Sequence, residues 1–527
     1  MSALSHDPLS RFRLTLGRQI GLAFDEQRLG PLSELFEERV AHHGGDADAY
    51  LEWLANEASS DELASIVRQV TVPETYFFRH KQQFDALRAL LIRNYRAAAP
   101  PRVLSAGCAS GEEAYSLAIT LREIWPDREP KVVAADLNPA ILERARAGRY
   151  SAWSLRETPE LSAQRWFRQQ GREYVLDEGI RRSVRFVRAN LASDEGELLT
   201  ADSFDIIFCR NVLMYFTPEN FRAAVQRLSR ALVPEGHFFM GSAETLRGMS
   251  HEFHLCHTHE AFYYRRKSSR ELSQSVPPPA PDRSWREPPP DVEQSAWVEE
   301  IGRAAARIAA LTEEPARQKG NSAQPKGQAG TSRARPESAE SALRAHARAS
   351  LDLGPALDLL HKEQFSAALD QVRALPSDAA SDPEAMLLEA VLLASSGRFD
   401  EADRVCQCLL AVDELNAGAH YVLALCSAGG GRLDRAVHHD RVATYLDPGF
   451  AMPRLHLGLM LRREGERAQA RQELGQARSL LEREDGARLL MFGGGFNRNA
   501  LLALCDAELE LTSGTPARGA RAMRGSG

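Results

Sequence analysis

The sequence predicts a multidomain chain: an N-terminal all-helical part, an α/β part built on a Rossmann-like parallel sheet, and a C-terminal helical array beyond a long tether. Three observations predict it. Apolar residues recur at helical steps over residues 1–70, short β-rich runs alternate with helical stretches from about residue 101, and small residues recur every 34 positions after residue 350. A length of 527 residues agrees, since domains average roughly 100–200 residues. Hydrophobic residues at 43% and charged residues at 26% are globular values. A net charge of −7 excludes a polyanion binder acting through bulk charge. No apolar run approaches the ~20 residues of a membrane span, and Met1 to Arg13 lacks the apolar centre of a secretory signal. Seven cysteines without a CxxC pair exclude a disulfide framework and a zinc-finger pattern. A cytoplasmic chain is expected.

The helical part is assigned to 1–75, where Tyr50, Leu51, Trp53, Leu54, Leu63, Ile66 and Val67 fall three and four residues apart. Over 76–267 the β-rich runs are Arg102–Ala106, Lys131–Ala135, Val184–Val187, Phe204–Cys209 and His237–Gly241. Their alternation with helical stretches argues for a parallel sheet. Glu252 to Tyr264 reads as a closing strand pair. Residues 268–350 hold ten of the 27 prolines, and such composition cannot bury enough apolar surface to order itself. They are read as a disordered linker, with one short amphipathic helix inside it from Asp291 to Thr312. Over 351–483, Gly397, Gly431 and Gly465 share a 34-residue period with Ala368, Ala402, Ala436 and Ala470. Ala390, Ala424 and Gly458 sit twelve residues before their alanines. That register is the tetratricopeptide signature, in which small residues let paired helices approach closely. The last part, 484–527, is read as a helix from Asn499 after Gly493–Gly495, then a frayed tail carrying Arg518, Arg521 and Arg524.

Chemistry concentrates in the α/β part. Val103 to Glu113 runs a strand into a glycine-containing turn, Ser105-Ala106-Gly107-Cys108-Ala109-Ser110-Gly111, and then into a helix. In doubly wound folds that turn meets a nucleotide-like ligand. Asp136, at the end of the next strand, is placed to accept from a ribose diol. Glu112 and Glu113 disfavour a pyrophosphate and suit a cationic or neutral ligand such as S-adenosylmethionine, which carries no phosphate. The alternative is an ordinary strand–helix turn with a capping Glu. Asn190-Leu191 ends another strand, where an adenine would sit. Arg210 and Asn211 end the run Phe204–Cys209 at the ligand-binding edge. His251, His254, Cys256, His257 and His259 crowd together, but alternate strand residues point to opposite faces, so no metal is assigned. Cys108 and Cys209 are read as packing residues.

Glu74-Thr75-Tyr76-Phe77-Phe78-Arg79, the glycine-containing turn with Glu112-Glu113-Ala114-Tyr115-Ser116, and Phe204 to Phe216 occur in that order. Together they resemble the chemotaxis receptor (CheR-type) methyltransferases over residues ~10–267, specifically the branch with tetratricopeptide tails and WspC-like members. The resemblance implies a small β subdomain and a protein-glutamate O-methyltransferase. It implies S-adenosylmethionine contacts from Thr75, Arg79, Glu113, Asp136, Asn190, Leu191, Arg210 and Asn211, with Arg79 and Tyr215 near the transferred methyl. The family often has Asn where this chain has Pro73. The implied acceptor is a glutamate on the cytoplasmic helices of a methyl-accepting chemoreceptor, so recruitment to membrane-bound receptor arrays is expected. The repeats would hold a protein or peptide, and no nucleic acid is expected. Receptor docking in the family uses basic residues of an N-terminal helix. Here Pro31 to Val40 holds Glu34, Glu37 and Glu38 with only Arg39, which leaves Arg11, Arg13, Arg18 and Arg28 as candidates. A non-catalytic, cofactor-binding adaptor is the alternative.

Overall fold

The computed structural model describes residues 7–24, 28–56, 60–71, 74–95, 100–193, 198–241, 244–246, 249, 252–273, 352–362 and 364–512. They belong to two compact units, 1–275 and 276–527.

The first unit opens with four helices, α1 (Pro8–Ile20), α2 (Leu29–His42), α3 (Ala47–Asn56) and α4 (Ser60–Val70). Asp7 caps α1 by accepting from the Ser10 backbone N–H, with Pro8 preset for the first turn. The apolar faces of the four helices enclose Phe12, Leu16, Tyr50, Leu54, Ile66 and Val67 in one core. Glu62 is buried among them because the Tyr50 hydroxyl (2.8 Å) and the Arg39 guanidinium (Nε, 2.8 Å) satisfy it. Arg39, the one basic residue of the Pro31–Val40 stretch, is therefore an internal tie.

Helix α5 (Lys81–Asn94) leads to an alternation of β1 (Arg102–Ala106), α6 (Glu112–Ile124), β2 (Lys131–Asp136) and α7 (Pro139–Ala147). A small insertion follows: β3 (Arg149–Ser151), α8 (Glu160–Trp166), β4 (Phe167–Gln170), β5 (Glu173–Leu176) and α9 (Glu178–Arg182). The main sheet resumes with β6 (Val184–Arg188), β7 (Phe204–Cys209), α10 (Pro218–Ala231) and β8 (Leu232–Met240). It closes with the antiparallel hairpin β9 (Phe253–Thr258) and β10 (Ala261–Arg266). The seven strands run β6-β2-β1-β7-β8-β10-β9, and the first five are mutually parallel. Each strand run expected from the sequence is a strand of this sheet. The order reverses between β1 and β7, which opens a crevice at their carboxyl ends. The insertion forms a separate antiparallel sheet, β3-β5-β4.

The expected linker start at residue 268 differs in detail. Residues Ser269–Ser273 form a short helix, α11. Glu271 holds it to the hairpin by accepting from Arg265 Nη2 (2.8 Å) and from the Ser268 N–H (2.7 Å). The rest of the linker, with the expected helix at Asp291–Thr312, lies outside the described residues, as do Pro73, His251 and the tail arginines.

The described residues of the second unit are all-helical. Its helices pair as Gly354–His361 with Phe365–Arg373, Pro383–Ser395 with Phe399–Val412, Ala417–Gly429 with Leu433–Leu446, and Ala451–Glu464 with Arg467–Leu481. The last three pairs start 34 residues apart, and the first pair is the shortened one. Ala368, Ala402, Ala436 and Ala470 are all fully buried, as close helix approach requires. Gly397, Gly431 and Gly465 make the intervening turns with φ of +74°, +72° and +89°. Beyond the repeats come Gly486–Phe492 and Arg498–Thr512, so the expected last helix begins at Arg498.

Candidate active site

One pocket lies where the carboxyl ends of β1, β2 and β7 face the helical cap. Its empty volume is about 1120 Å³, including its open mouth, and Thr75, Arg79, Glu113, Asp136, Asn190, Leu191, Arg210, Asn211 and Tyr215 all line it. Every candidate site residue thus meets in one place. Their individual arrangements differ from a plain ring of ligand contacts.

The glycine turn is shaped by close approach. A Cβ at Gly107 would lie 2.2 Å from Val212 Cγ2, and its φ is +79°, so only glycine lets the turn after β1 pack against the loop after β7. Asp136 ends β2 and accepts from the Ala109 N–H (2.9 Å) and the Asn138 N–H (2.9 Å). Burial raises its pKa above the usual carboxylate value, and the backbone donors oppose that shift. A carboxylate has about four acceptor sites, so it retains capacity for a ligand diol.

The two glutamates after the turn act differently from each other. Glu112 is buried, accepts from Ser110 Oγ (2.7 Å), and does not line the pocket. Burial raises its pKa. Glu113 accepts from Ser105 Oγ (2.7 Å) and forms a buried ion pair with Arg210 Nε (2.7 Å). Its charge is met inside the protein, which leaves Asp136 and Glu74 as the other carboxylates lining the pocket. Arg210 also donates through Nη1 to the Arg79 carbonyl (2.6 Å) and to Gln83 Oε1 (2.9 Å). It fixes the segment that carries Arg79.

Asn190 likewise holds structure. Its amide donates to the Gln19 carbonyl (2.7 Å) and accepts from the Ala192 N–H (2.9 Å), tying α1 to the end of β6. Leu191 is buried beside it, and its carbonyl accepts from Arg227 Nη2 (2.6 Å). Asn211 adopts φ +59°, a left-handed conformation that Asn tolerates better than most residues. What holds it is Glu244, which the sequence reading missed. This buried carboxylate accepts from four backbone N–H groups: Asn211 (2.6 Å), Gly241 (2.9 Å), Val212 (2.9 Å) and Met214 (3.0 Å). The only signal was an acidic residue just past the apolar strand β8.

Phe77 and Phe78 of the aromatic motif are core. Phe77 packs edge-on against Tyr150 and Phe167 of the small sheet, each at 4.8 Å. This anchoring leaves Thr75 and Arg79 at the pocket, where Arg79 Nη1 donates to the Glu74 carbonyl (3.0 Å). Tyr215 lines the same pocket. The Ala23 N–H donates to its carbonyl (2.7 Å), Leu22 bridges Phe216, and Arg28 lies 4.8 Å from its ring centroid. Ile20, Leu22, Arg28 and Val70 bring the helical cap into the pocket wall, a contribution the sequence motifs did not reveal. Arg28, read as a docking candidate, is one of these wall residues.

Among the described residues there is no group of three or more His, Cys, Asp or Glu side chains that could hold a metal. No described helix is long and apolar enough to cross a membrane.

Residues 73–262 match the family model described as CheR methyltransferase, SAM binding domain. Chemotaxis protein methyltransferase 2 of Vibrio cholerae is 36% identical over 214 residues, covering 39% of this chain and 74% of that protein. The chain belongs to the CheR methyltransferase family. The probable biofilm formation methyltransferase WspC of Pseudomonas aeruginosa is 28% identical over 468 residues, 88% of this chain and 96% of that one. Likeness to the WspC-type relative therefore extends through the repeats. Among solved structures, the Yersinia enterocolitica chaperone SycD aligns with 25% of this chain at 21% identity and a TM-score of 0.22, too low to carry an argument. The pocket fits the donor the family name specifies. No lysine lines it, although Arg28 and Arg79 do, Arg210 is paired internally with Glu113, and Asp136 stands at the end of β2 with acceptor capacity left over.

Proposed function

We propose that this chain transfers a methyl group from S-adenosylmethionine to glutamate side chains of a methyl-accepting chemosensory or surface-sensing receptor, with the repeat unit holding a protein partner. The observation that carries the reading is the convergence of all nine candidate site residues on one pocket at the sheet's switch point. The domain assignment proposed with it is 1–75, 76–267, 268–350, 351–483 and 484–527, with α11 adding a short ordered extension to the second.

When bound, the donor supplies an electrophilic sulfonium methyl. The acceptor carboxylate has a reference pKa of about 4.3, so it is ionised at neutral pH and no general base is needed. The protein's task is alignment, for which positioning is worth at most about 7–11 kcal/mol. Asp136 takes the ribose hydroxyls and Leu191 borders the adenine. Arg79 orients a carboxylate without neutralising the nucleophile, and Tyr215 flanks the reacting groups. Glu113, Arg210, Asn190 and Glu244 hold these residues in place.

The test is tritiated methyl incorporation from S-adenosylmethionine into cytoplasmic fragments of candidate receptors, with the full chain and with residues 1–275. Arg79→Ala is expected to lower incorporation by about 100-fold, the cost of a modest misalignment, while S-adenosylmethionine affinity by calorimetry changes only a few-fold. Wild-type turnover in that variant overturns the role of Arg79. Cofactor binding without incorporation into any receptor favours the adaptor reading.

A further inference from the structure

The second unit carries a segment that none of the motifs required. Gly486–Phe492 forms a helix lying across the face built by the first helices of the repeats. Phe492 packs against Tyr421 (5.9 Å) and Phe450 (4.9 Å). Arg488, one turn earlier, pairs with Asp447 and stacks 4.2 Å from the Phe450 ring centroid. An i, i+4 pair of anchors on a short helix is how an amphipathic peptide is read by a groove.

The fit is incomplete. Two cavities flank the segment, one of about 460 Å³ bordered by Val391, Ser395, Tyr421 and Met491, the other of about 1120 Å³ bordered by Leu360, Phe365 and Phe496, both counted to their open mouths. Tyr421, fully buried, borders the smaller cavity, and its hydroxyl has no hydrogen-bond partner. Three glycines follow directly, with Gly494 and Gly495 at φ +62° and +83°, so the segment ends in a pliable joint before the capping helix Arg498–Thr512.

We infer that Gly486–Phe496 is an internal stand-in for the repeat unit's partner, and that the partner is a helical peptide with a basic residue one turn before an aromatic one, which displaces it. This rests on the reading that the repeat unit grips a protein. The segment's tether keeps it at an effective concentration in the millimolar range. A competing peptide therefore binds the wild-type chain weakly, and better once the stand-in is weakened.

The probe is a labelled peptide of this chain's residues 484–497, with binding to the full chain read by fluorescence anisotropy. Arg488→Ala with Phe492→Ala in the protein is expected to tighten binding at least 10-fold. Adding Asp447→Asn is expected to reverse most of that gain, and a peptide lacking its phenylalanine is expected not to bind. Binding no tighter than wild type, in a double variant with native helicity and a cooperative melt, overturns the inference. A second readout needs no variant: millimolar peptide added to the wild-type chain is expected to speed amide exchange in 486–496 at least 10-fold, and unchanged exchange overturns it. If the repeat unit docks to a receptor complex yet refuses the peptide, the inference fails and the partner-docking reading stands. If it takes the peptide but docks to no receptor complex, the inference stands and that reading fails.

Discussion

The two units hold themselves together over different spans of chain. In the first, 97 residues separate Arg210 from Glu113, 131 separate it from the Arg79 carbonyl, and 171 separate Asn190 from the Gln19 carbonyl. In the second, Arg373–Glu389, Arg454–Glu473 and Arg435–Asp403 join residues 16, 19 and 32 apart. A pocket assembled from distant segments exists only when the whole unit is folded. A repeat array is close to a sum of neighbour contacts, so damage to it stays near its source.

The sharpest attempt to break that contrast is Arg210→Ala. It strands Glu113 in the interior, and removing one partner of a buried pair costs about 3–5 kcal/mol. Calorimetry of the full chain should show the first unit's transition falling while the repeat transition holds. A loss under ~1 kcal/mol, or equal movement of both transitions, would erase the distinction. Next in size is acid sensitivity. His237, buried in β8, has its pKa lowered to about 4 by burial and then by Arg265 and Arg93. Its unfolded value is near 6.5, so the unfolded chain binds more protons between those limits. The associated stability is complete above pH 6.5 and is lost as pH falls toward 4, by up to about 3 kcal/mol. Stability curves of the 1–275 fragment at pH 7 and pH 4.5 measure it, and His237→Gln should flatten the difference. The smallest effect is expected from Gly458→Ala, where a Cβ would lie 2.7 Å from Leu474 Cγ and 3.3 Å from its backbone nitrogen. Overpacking of about 1–3 kcal/mol should speed exchange in 451–464 and 467–481. The helix at 383–395 and S-adenosylmethionine affinity should stay as they are. Spread of the damage to 383–395 would mean the repeats act as one block.

The same difference in span explains what the sequence made legible. Repeat positions such as Ala402 and Ala436 announce themselves because the same packing problem recurs every 34 residues. The strands were readable because β1 and β7 are apolar on both faces, and the pocket because its glycine turn and the Arg210-Asn211 strand end are local patterns. What each charged residue does was not readable. Glu113 and Arg210 both line the pocket, and their pairing with each other across 97 residues of chain left no mark in the sequence. Asn190 lines the pocket, and its tie to the Gln19 carbonyl of α1 was not readable. Glu244 works on backbone N–H groups, which leave no trace in side-chain type. The small sheet β3-β5-β4 came only from family resemblance, since three- and four-residue strands carry little periodicity.

Leu22 and Ala23 are bonded to the backbone of Phe216 and Tyr215, and the Thr217 N–H donates to the Gly21 carbonyl (3.1 Å). The end of α1 and the loop bearing Tyr215 are in effect one lever. A push on the end of α1 is therefore expected to reach the pocket wall that carries Tyr215. A docking event there would be felt at the site of chemistry as a displacement, with no messenger residue in between.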